Sequence, residues 1–93
     1  MKGGVKLDIY AEAIEVFGKE IQLIKAVEEL SELQKEICKF LISRTGNVEE
    51  EIADVKIMIK QLEKIFDKKS IDKWESEKIN RFGMVIQVVR ASE

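Results

Sequence analysis

Apolar residues recur at every third or fourth position along most of the chain, which is the period of an amphipathic α-helix. Breaks in this pattern divide the chain into four helical segments. The first begins after Asp8, whose carboxylate can cap a helix, and ends before Gly18. The second runs from Lys19 to about Ser43, and the third from Val48 to about Phe66. We therefore predict an all-α protein.

Turn residues predict where the later segments begin and end. Gly46 is the predicted break between the second and third helices, and Asn47 is the predicted cap of the third. Ser70 is the predicted cap of a fourth helix, and Gly83 suits the position just past its end. The stretch Met84–Val89 is rich in β-branched residues, so a strand or an extended arm competes there with continued helix.

Each of the two long segments carries one apolar stripe. The second-helix stripe consists of Leu23, Val27, Leu30, Ile37 and Leu41. The third-helix stripe consists of Val48, Ile52, Val55, Ile59, Leu62 and Phe66. Helices bury such stripes against one another, so the predicted architecture is a four-helix bundle. The predicted bundle forms a single domain over residues 1–93. Residues 1–7 are predicted to form a loose arm, and the pattern leaves the structure of the tail at residues 84–93 undecided.

The composition narrows the functional class. The 93 residues are 45% hydrophobic and 37% charged, with a net charge of −2. The chain is thus too apolar to be disordered and too weakly charged to favour nucleic acid or an anionic membrane as a partner. No apolar run approaches the roughly 18 residues of a membrane span. The single Cys38 cannot form an internal disulfide, so we expect a cytoplasmic protein in which this thiol is buried.

The candidate chemistry rests on carboxylates, because histidine is absent. Glu29 and Glu32 are three residues apart in the second helix, as Glu51 and Asp54 are in the third, and residues at this spacing share a helix face. Two packed helices can therefore bring four carboxylates together, where they repel one another unless a cation neutralises them. Because oxygen ligands suit a hard ion such as Mg²⁺, the first hypothesis is a divalent-metal site.

In an antiparallel pair of helices, the numbers of residues that lie opposite each other have a constant sum. Glu29 with Asp54 and Glu32 with Glu51 give the same sum, so one antiparallel register pairs all four acids. A tight turn would leave these pairs offset by about 12 Å, so we predict a connection that folds back alongside the second helix. Glu51 and Asp54 share their face with Met58 and are predicted to point inward. Glu29 is marginal to its stripe and Glu32 is exposed in a lone helix pair, so another subunit is predicted to cover that face.

The acids also have a simpler interpretation. Charge runs usually solvate the outer face of an amphipathic helix, and Lys25 can pair with Glu29 one turn away. Glutamates at this spacing are common in acidic helices. Spacing alone leaves both interpretations open.

The sequence around the acids resembles a known family. The stretch Glu28-Glu29-Leu30-Ser31-Glu32, followed after eighteen residues by Glu51-Ile52-Ala53-Asp54, is similar to the signature of the all-α nucleoside triphosphate pyrophosphohydrolases, the superfamily of MazG and the dimeric dUTPases. Phe17-Gly18-Lys19-Glu20-Ile21-Gln22 resembles the aromatic-Gly-x-x-x-Gln entry of MazG-like proteins. Lys78-Ile79-Asn80-Arg81 resembles their downstream substrate contacts. The likeness covers residues 8 to about 82.

This resemblance implies a MazG-type fold, a homo-oligomer that is a dimer or a tetramer, and hydrolysis of a nucleoside triphosphate to a monophosphate and pyrophosphate. Mg²⁺ is the implied cofactor, with Mn²⁺ as an alternative. The implied metal ligands are Glu29, Glu32, Glu51 and Asp54. Glu28 would orient a water molecule or support the ligands. Non-standard nucleotides, removed by a house-cleaning activity, are candidate substrates.

Five further residues are candidate substrate contacts. Lys78, Asn80 and Arg81 are assigned by the resemblance, and Lys78 and Arg81 lie one turn apart and can meet phosphates as cations. Positive charge near a helix end is also favourable in itself. Gln22 and Lys25 share the face of the first acidic pair and can line the site.

Two alternatives remain open at the level of sequence. Trp74 can stack on a base, or it can serve in the core or in an interface. The whole chain can be a non-catalytic oligomeric adaptor or regulatory module, with the acids as solvated surface.

Overall fold

The computed structural model describes residues 8–93, and the regular elements among them are all α-helices. The helices are α1 (Ile9–Phe17), α2 (Lys19–Ser43), α3 (Val48–Ile65) and α4 (Lys68–Ala91). The all-α prediction is confirmed for this part of the chain, and the boundaries predicted for the first three helices are correct to within a residue. The arm predicted for residues 1–7 lies outside the described residues.

Local hydrogen bonds define both ends of α1. The Asp8 carboxylate accepts hydrogen bonds from the backbone N–H groups of Tyr10 and Ala11, both at 3.1 Å, so the predicted cap is confirmed. Gly18 donates its N–H to the Ile14 carbonyl at 2.8 Å, and its φ of +91° favours glycine. Because this one residue separates α1 from α2, α1 turns back and packs on both α2 and α3.

The connection between α2 and α3 folds back as predicted. The backbone N–H of Asn47 donates to the Glu36 carboxylate at 2.9 Å, almost two turns before α2 ends. Gly46 has φ +112°, and a Cβ there would lie 3.1 Å from the Glu36 carbonyl oxygen, so this close approach requires glycine. Asn47 is the N-cap residue of α3, as predicted, but its side chain donates to Glu50 at 2.8 Å and makes no capping hydrogen bond.

The faces that α2 and α3 present to each other are largely polar, contrary to the expectation that the apolar stripes pack together. The buried residues are Gln22, Ala26 and Glu36 of α2, and Met58 and Gln61 of α3. On each helix, the apolar stripe is rotated by roughly 100° about the helix axis from the face that contacts the other helix. Val27 of the second-helix stripe, for example, is 66% exposed. The physical reason is the contact between Glu36 and Asn47, which turns the polar face of α2 toward α3.

The fourth helix departs from the predicted bundle. Among the described helices α4 contacts α3 alone, and Ile71 is its only half-buried residue. The helix begins earlier than predicted, because Asp67 rather than Ser70 is the cap, and the Ser70 hydroxyl donates to the Asp67 carboxylate at 2.9 Å. Gly83 lies inside α4, and Met84–Val89 is helical. The described residues contain no strand with which Met84–Val89 could pair. Hydrogen bonds within the helix therefore satisfy their backbone N–H and C=O groups.

The molecule is extended. Its radius of gyration is 17.7 Å, against about 12 Å for a compact domain of this length. Cys38 is exposed and Trp74 is 55% exposed, so the predicted buried thiol is wrong and Trp74 is not part of a core within one chain. Both residues lie on helix faces that no other described helix covers. None of the described helices is long and apolar enough to cross a membrane.

Removing the Glu36 carboxylate should destabilise the fold. Glu36→Ala is expected to lower the melting temperature by on the order of 5 °C, because the part-buried N–H of Asn47 loses its acceptor. The control Lys39→Ala removes only the exposed partner of a 3.5 Å ion pair with Glu36 and should have little effect. Thermal denaturation followed by circular dichroism measures both variants. Equal losses would contradict a specific role for the hydrogen bond.

The same residue predicts a pH dependence. The hydrogen bond from Asn47, with a smaller effect of the Lys39 charge, holds the pKa of Glu36 below its ordinary value of 4.5. A depressed pKa in the folded state stabilises the protein above the unfolded-state pKa, and this stabilisation is lost as pH falls through the folded-state value. The stability advantage of the wild type over Glu36→Gln, measured by urea denaturation, should therefore shrink in acid. An advantage that grows on acidification would refute this assignment.

Candidate metal centre

Three of the four predicted metal ligands converge where α2 packs against α3. The carboxylates of Glu29, Glu51 and Asp54 each offer an oxygen atom, and these atoms lie within 4.8 Å of one another. Glu51 and Asp54 share one face of α3, and the antiparallel register brings Glu29 opposite them. All three residues are half-buried. The inward orientation predicted for Glu51 and Asp54 is confirmed, and these acids do not form a solvated helix surface.

Glu51 is the most constrained of the three. Its Oε2 atom is buried and has no hydrogen-bond partner. Burial raises the pKa of Glu51, and the negative charges of Asp54 and Glu29 raise it further. A buried carboxylate oxygen without a donor is unfavourable, and adjacent like charges add repulsion. A cation bound among these oxygens would relieve both effects.

The donor set fits a hard divalent cation. All three donors are carboxylate oxygens, the ligand type that suits Mg²⁺ and Mn²⁺. Oxygens on opposite sides of one Mg²⁺ lie about 4.2 Å apart, so donor atoms within 4.8 Å of one another need only small side-chain rotations to share an ion. The partnerless Oε2 of Glu51 is an available ligand atom. Glu29, Glu51 and Asp54 are therefore the residues that could hold a hard divalent cation at this centre.

The other two candidate acids have different positions. Glu32 is half-buried, where exposure in a single chain was predicted. It lies outside the converging group, but its charge contributes to the raised pKa of Glu51. Glu28 is exposed and forms an ion pair with Lys25 at 3.3 Å, and the same ammonium lies 3.4 Å from the Glu29 carboxylate. Glu28 is therefore linked to the centre through Lys25.

A pocket of about 390 Å³ opens beside the converging carboxylates. Glu29 and Asp54 form part of its wall, together with the predicted lining residues Gln22 and Lys25. The apolar part of the wall comes from α1, α2 and α3 and consists of Ala13, Phe17, Ile21, Ile57 and Met58. Its volume lies within the range of roughly 300–1,000 Å³ that is typical of small-molecule sites. The centre thus adjoins a cavity in which an apolar ring and a charged group can bind side by side.

Sequence reasoning did not identify Gln61, which also lines this pocket. Gln61 is 7% exposed, and its Oε1 atom has no hydrogen-bond partner. It follows Asp54 by seven residues and Met58 by three, so the helical spacing places all three on one face of α3. This helical spacing from Asp54 is the signal in the sequence that points to Gln61.

The predicted substrate contacts on α4 do not reach the centre within one chain. Lys78, Asn80 and Arg81 are all exposed, and α4 contacts α3 alone among the described helices. Helical spacing places Lys78 and Arg81 on neighbouring positions of one face, whereas Asn80 lies almost opposite Lys78. The structure therefore brings together the α2 and α3 candidates and leaves the α4 candidates apart from them.

Comparison of the chain with protein-family models, with curated proteins and with solved structures found no match. The resemblance to the pyrophosphohydrolases thus rests on the motif residues themselves. The positions of those residues in the fold provide the physical basis for a functional proposal.

Neutralising the centre should stabilise the metal-free protein. Glu51→Gln is expected to raise the melting temperature without metal, because it removes a partnerless buried charge beside Glu29 and Asp54. The same variant should gain less than the wild type when Mg²⁺ or Mn²⁺ is added. Glu49→Gln, an equal charge change at an exposed position of α3, is the control. A lower melting temperature for metal-free Glu51→Gln would show that the cluster is not under electrostatic strain.

Proposed function

We propose that the chain is a Mg²⁺-dependent nucleoside triphosphate pyrophosphohydrolase of MazG-like type. It converts a nucleoside or deoxynucleoside triphosphate and water into the monophosphate and pyrophosphate. The observation that carries this proposal is the convergence of Glu29, Glu51 and Asp54 at the wall of a pocket of about 390 Å³. The motif resemblance gives independent support, because the same acids occupy the signature positions.

The acids of α2 and α3 have one principal task, which is to hold the cation against the substrate. Bound among these acids, Mg²⁺ would supply positive charge for the substrate phosphates and Lewis acidity to activate the attacking water, so no histidine would be needed. Glu29, Glu51 and Asp54 supply the oxygens that hold the ion. Glu32 adds negative charge beside Glu51, which increases the affinity of the site for cations.

The pocket has the properties needed to orient a nucleotide. Its apolar walls suit the faces of a base, and the Gln22 amide can form hydrogen bonds with a base or a sugar. The Lys25 ammonium forms ion pairs with Glu28 and Glu29. When a cation binds the Glu29 carboxylate in its place, the ammonium can contact a phosphate group of the substrate. The substrate triphosphate would then lie along the boundary between the acidic and apolar walls.

Two further parts of the proposal concern other residues and other subunits. We propose that the enzyme is a homo-oligomer, either a dimer or a tetramer. We also propose that Lys78, Asn80 and Arg81 contact substrate. Because α4 is remote from α2 of its own chain, such contacts would require α4 of a neighbouring subunit.

A second candidate function is a non-catalytic oligomeric adaptor or regulator. The exposed apolar stripes favour it, since Val27 and Leu41 are 66% and 64% exposed and are available to a protein partner. This alternative leaves the partnerless oxygen of Glu51 without a role. The two functions differ in whether the protein binds divalent ions and releases pyrophosphate.

A panel of standard and modified nucleoside triphosphates tests the proposed activity. We expect Mg²⁺-dependent release of pyrophosphate from at least one of them, with a nucleoside monophosphate as the other product. Glu51→Gln should lower kcat by about a hundredfold or more, because one metal ligand is lost. The control Glu49→Gln should retain turnover. If no triphosphate is hydrolysed with Mg²⁺ or Mn²⁺, the hydrolase proposal fails and the adaptor function becomes the better explanation.

A further inference from the structure

We propose that Gln61 is a specificity-determining residue of the pocket, and that its buried amide recognises the hydrogen-bonding edge of the substrate base. A base that presents an N–H donor on that edge binds, and a base without the donor is rejected. The inference rests on the proposed function, which makes the ligand a nucleotide. Gln61 belongs to none of the motifs that resemble the pyrophosphohydrolases, so its role follows from its place in the fold.

The Gln61 amide is buried in the pocket wall and lacks a hydrogen-bond donor. The residue is 7% exposed and lines the pocket beside the metal centre. Its Oε1 atom is buried and has no partner among residues 8–93, which is unfavourable for an amide oxygen. Because the terminal torsion of a glutamine side chain is broad, a rotation of the amide turns this oxygen toward a molecule in the pocket. A ligand N–H is the partner that the oxygen lacks.

The amide lies at a fixed distance from the acidic centre. Gln61 follows Asp54 by seven residues on α3, and Gln22 precedes Glu29 by seven residues on the facing helix. Gln22 and Gln61 have the same sum of residue numbers as Glu29 and Asp54, so the two amides lie opposite each other in the same register. Seven residues of helix place the amides about 10 Å from the acids. A nucleotide bridges such a separation, with its phosphates at the acids and its base at the amides.

The pocket wall accounts for the remaining properties of a base. Phe17, Ile57 and Met58 contribute apolar surface, which suits the faces of a flat ring. Apolar walls accept any flat ring, whereas an amide offers one acceptor and two donors and pairs with an edge that carries both kinds of group. The common bases carry an N–H donor next to an acceptor on their Watson–Crick edges. The site therefore selects bases whose edge is intact.

Selectivity arises from the burial of the Gln61 amide. A ring that fills the pocket without offering an N–H leaves Oε1 without a donor, and the bound ring keeps water away from it. A site built to hydrogen-bond a ligand rejects analogues that lack the matching group for this reason. Gln22 also lines the pocket, but it has no buried atom without a partner among residues 8–93. Gln61 therefore makes the stricter demand.

Binding of nucleosides to the full chain, followed by NMR titration, tests the proposal. The probes are adenosine, cytidine, uridine and inosine. Adenosine and cytidine are each compared with an analogue that lacks the exocyclic amino group, and uridine and inosine with an analogue methylated on the ring N–H. Because these probes carry no phosphate, their binding does not depend on the metal centre. The nucleosides that bind should bind more tightly than their analogues by about tenfold or more.

The variant Gln61→Met assigns this preference to the amide. Methionine keeps the approximate volume of the side chain and removes its hydrogen-bonding groups, so the preference should disappear. The metal-free melting temperature should also rise by on the order of 5 °C, because a buried oxygen without a donor is removed. Gln34→Met, the same change at an exposed position of α2 outside the pocket, is the matched control and should change neither quantity.

Three results would overturn the proposal: no binding of any nucleoside, equal affinities within every pair, or a preference that survives in Gln61→Met. If that variant fails to fold, the wild type still decides, because only the nucleosides with an N–H donor should shift the side-chain amide signals of Gln61. Pyrophosphate release is scored separately. Hydrolysis without base preference would remove this inference alone, and the predicted preference without hydrolysis would remove the catalytic proposal alone.

Discussion

The hydrogen bond from the backbone N–H of Asn47 to the Glu36 carboxylate determines how the two long helices meet. At 2.9 Å, it ties the start of α3 to a point almost two turns before the end of α2. It thereby sets both the register of the hairpin and the rotation of α2. A tight turn would leave the acidic pairs offset by about two helical turns. With the connection folded back, Glu29 lies opposite Glu51 and Asp54, so the candidate metal centre follows from this loop contact.

The same contact explains why the interior of the hairpin is polar. Turning the Glu36 face toward α3 also turns Glu29 and Glu32 inward, and Ala26 and Met58 are the only buried hydrophobic residues within residues 8–93. Carboxylates held in this way repel one another and lose hydration, which the raised pKa of Glu51 reflects. A cation held by Glu29, Glu51 and Asp54 would relieve this unfavourable arrangement. Local destabilisation of this kind is typical of functional sites.

A polar interior has a consequence for the rest of the surface. The apolar residues that would normally form the core lie on the outside, on one uncharged face of α2 and α3 and along α4. One chain therefore buries too little apolar area to be compact, and its radius of gyration of 17.7 Å exceeds the roughly 12 Å expected of a compact domain.

The sequence by itself determined the local features. Helical periodicity, the Asp8 cap and Gly18 located the first three helices, and the equal register of the acidic pairs predicted the folded-back connection. Tertiary structure decided what depends on rotation and packing: the inward position of Glu32, the exposure of Cys38, the role of Gln61 in the pocket, and the helical state of residues 84–89. The physical reason is that spacing shows which residues share a helix face, whereas only contacts between helices show what that face meets. The Glu36 contact, which joins residues distant in the chain, is what turned the acidic face inward and the apolar face outward.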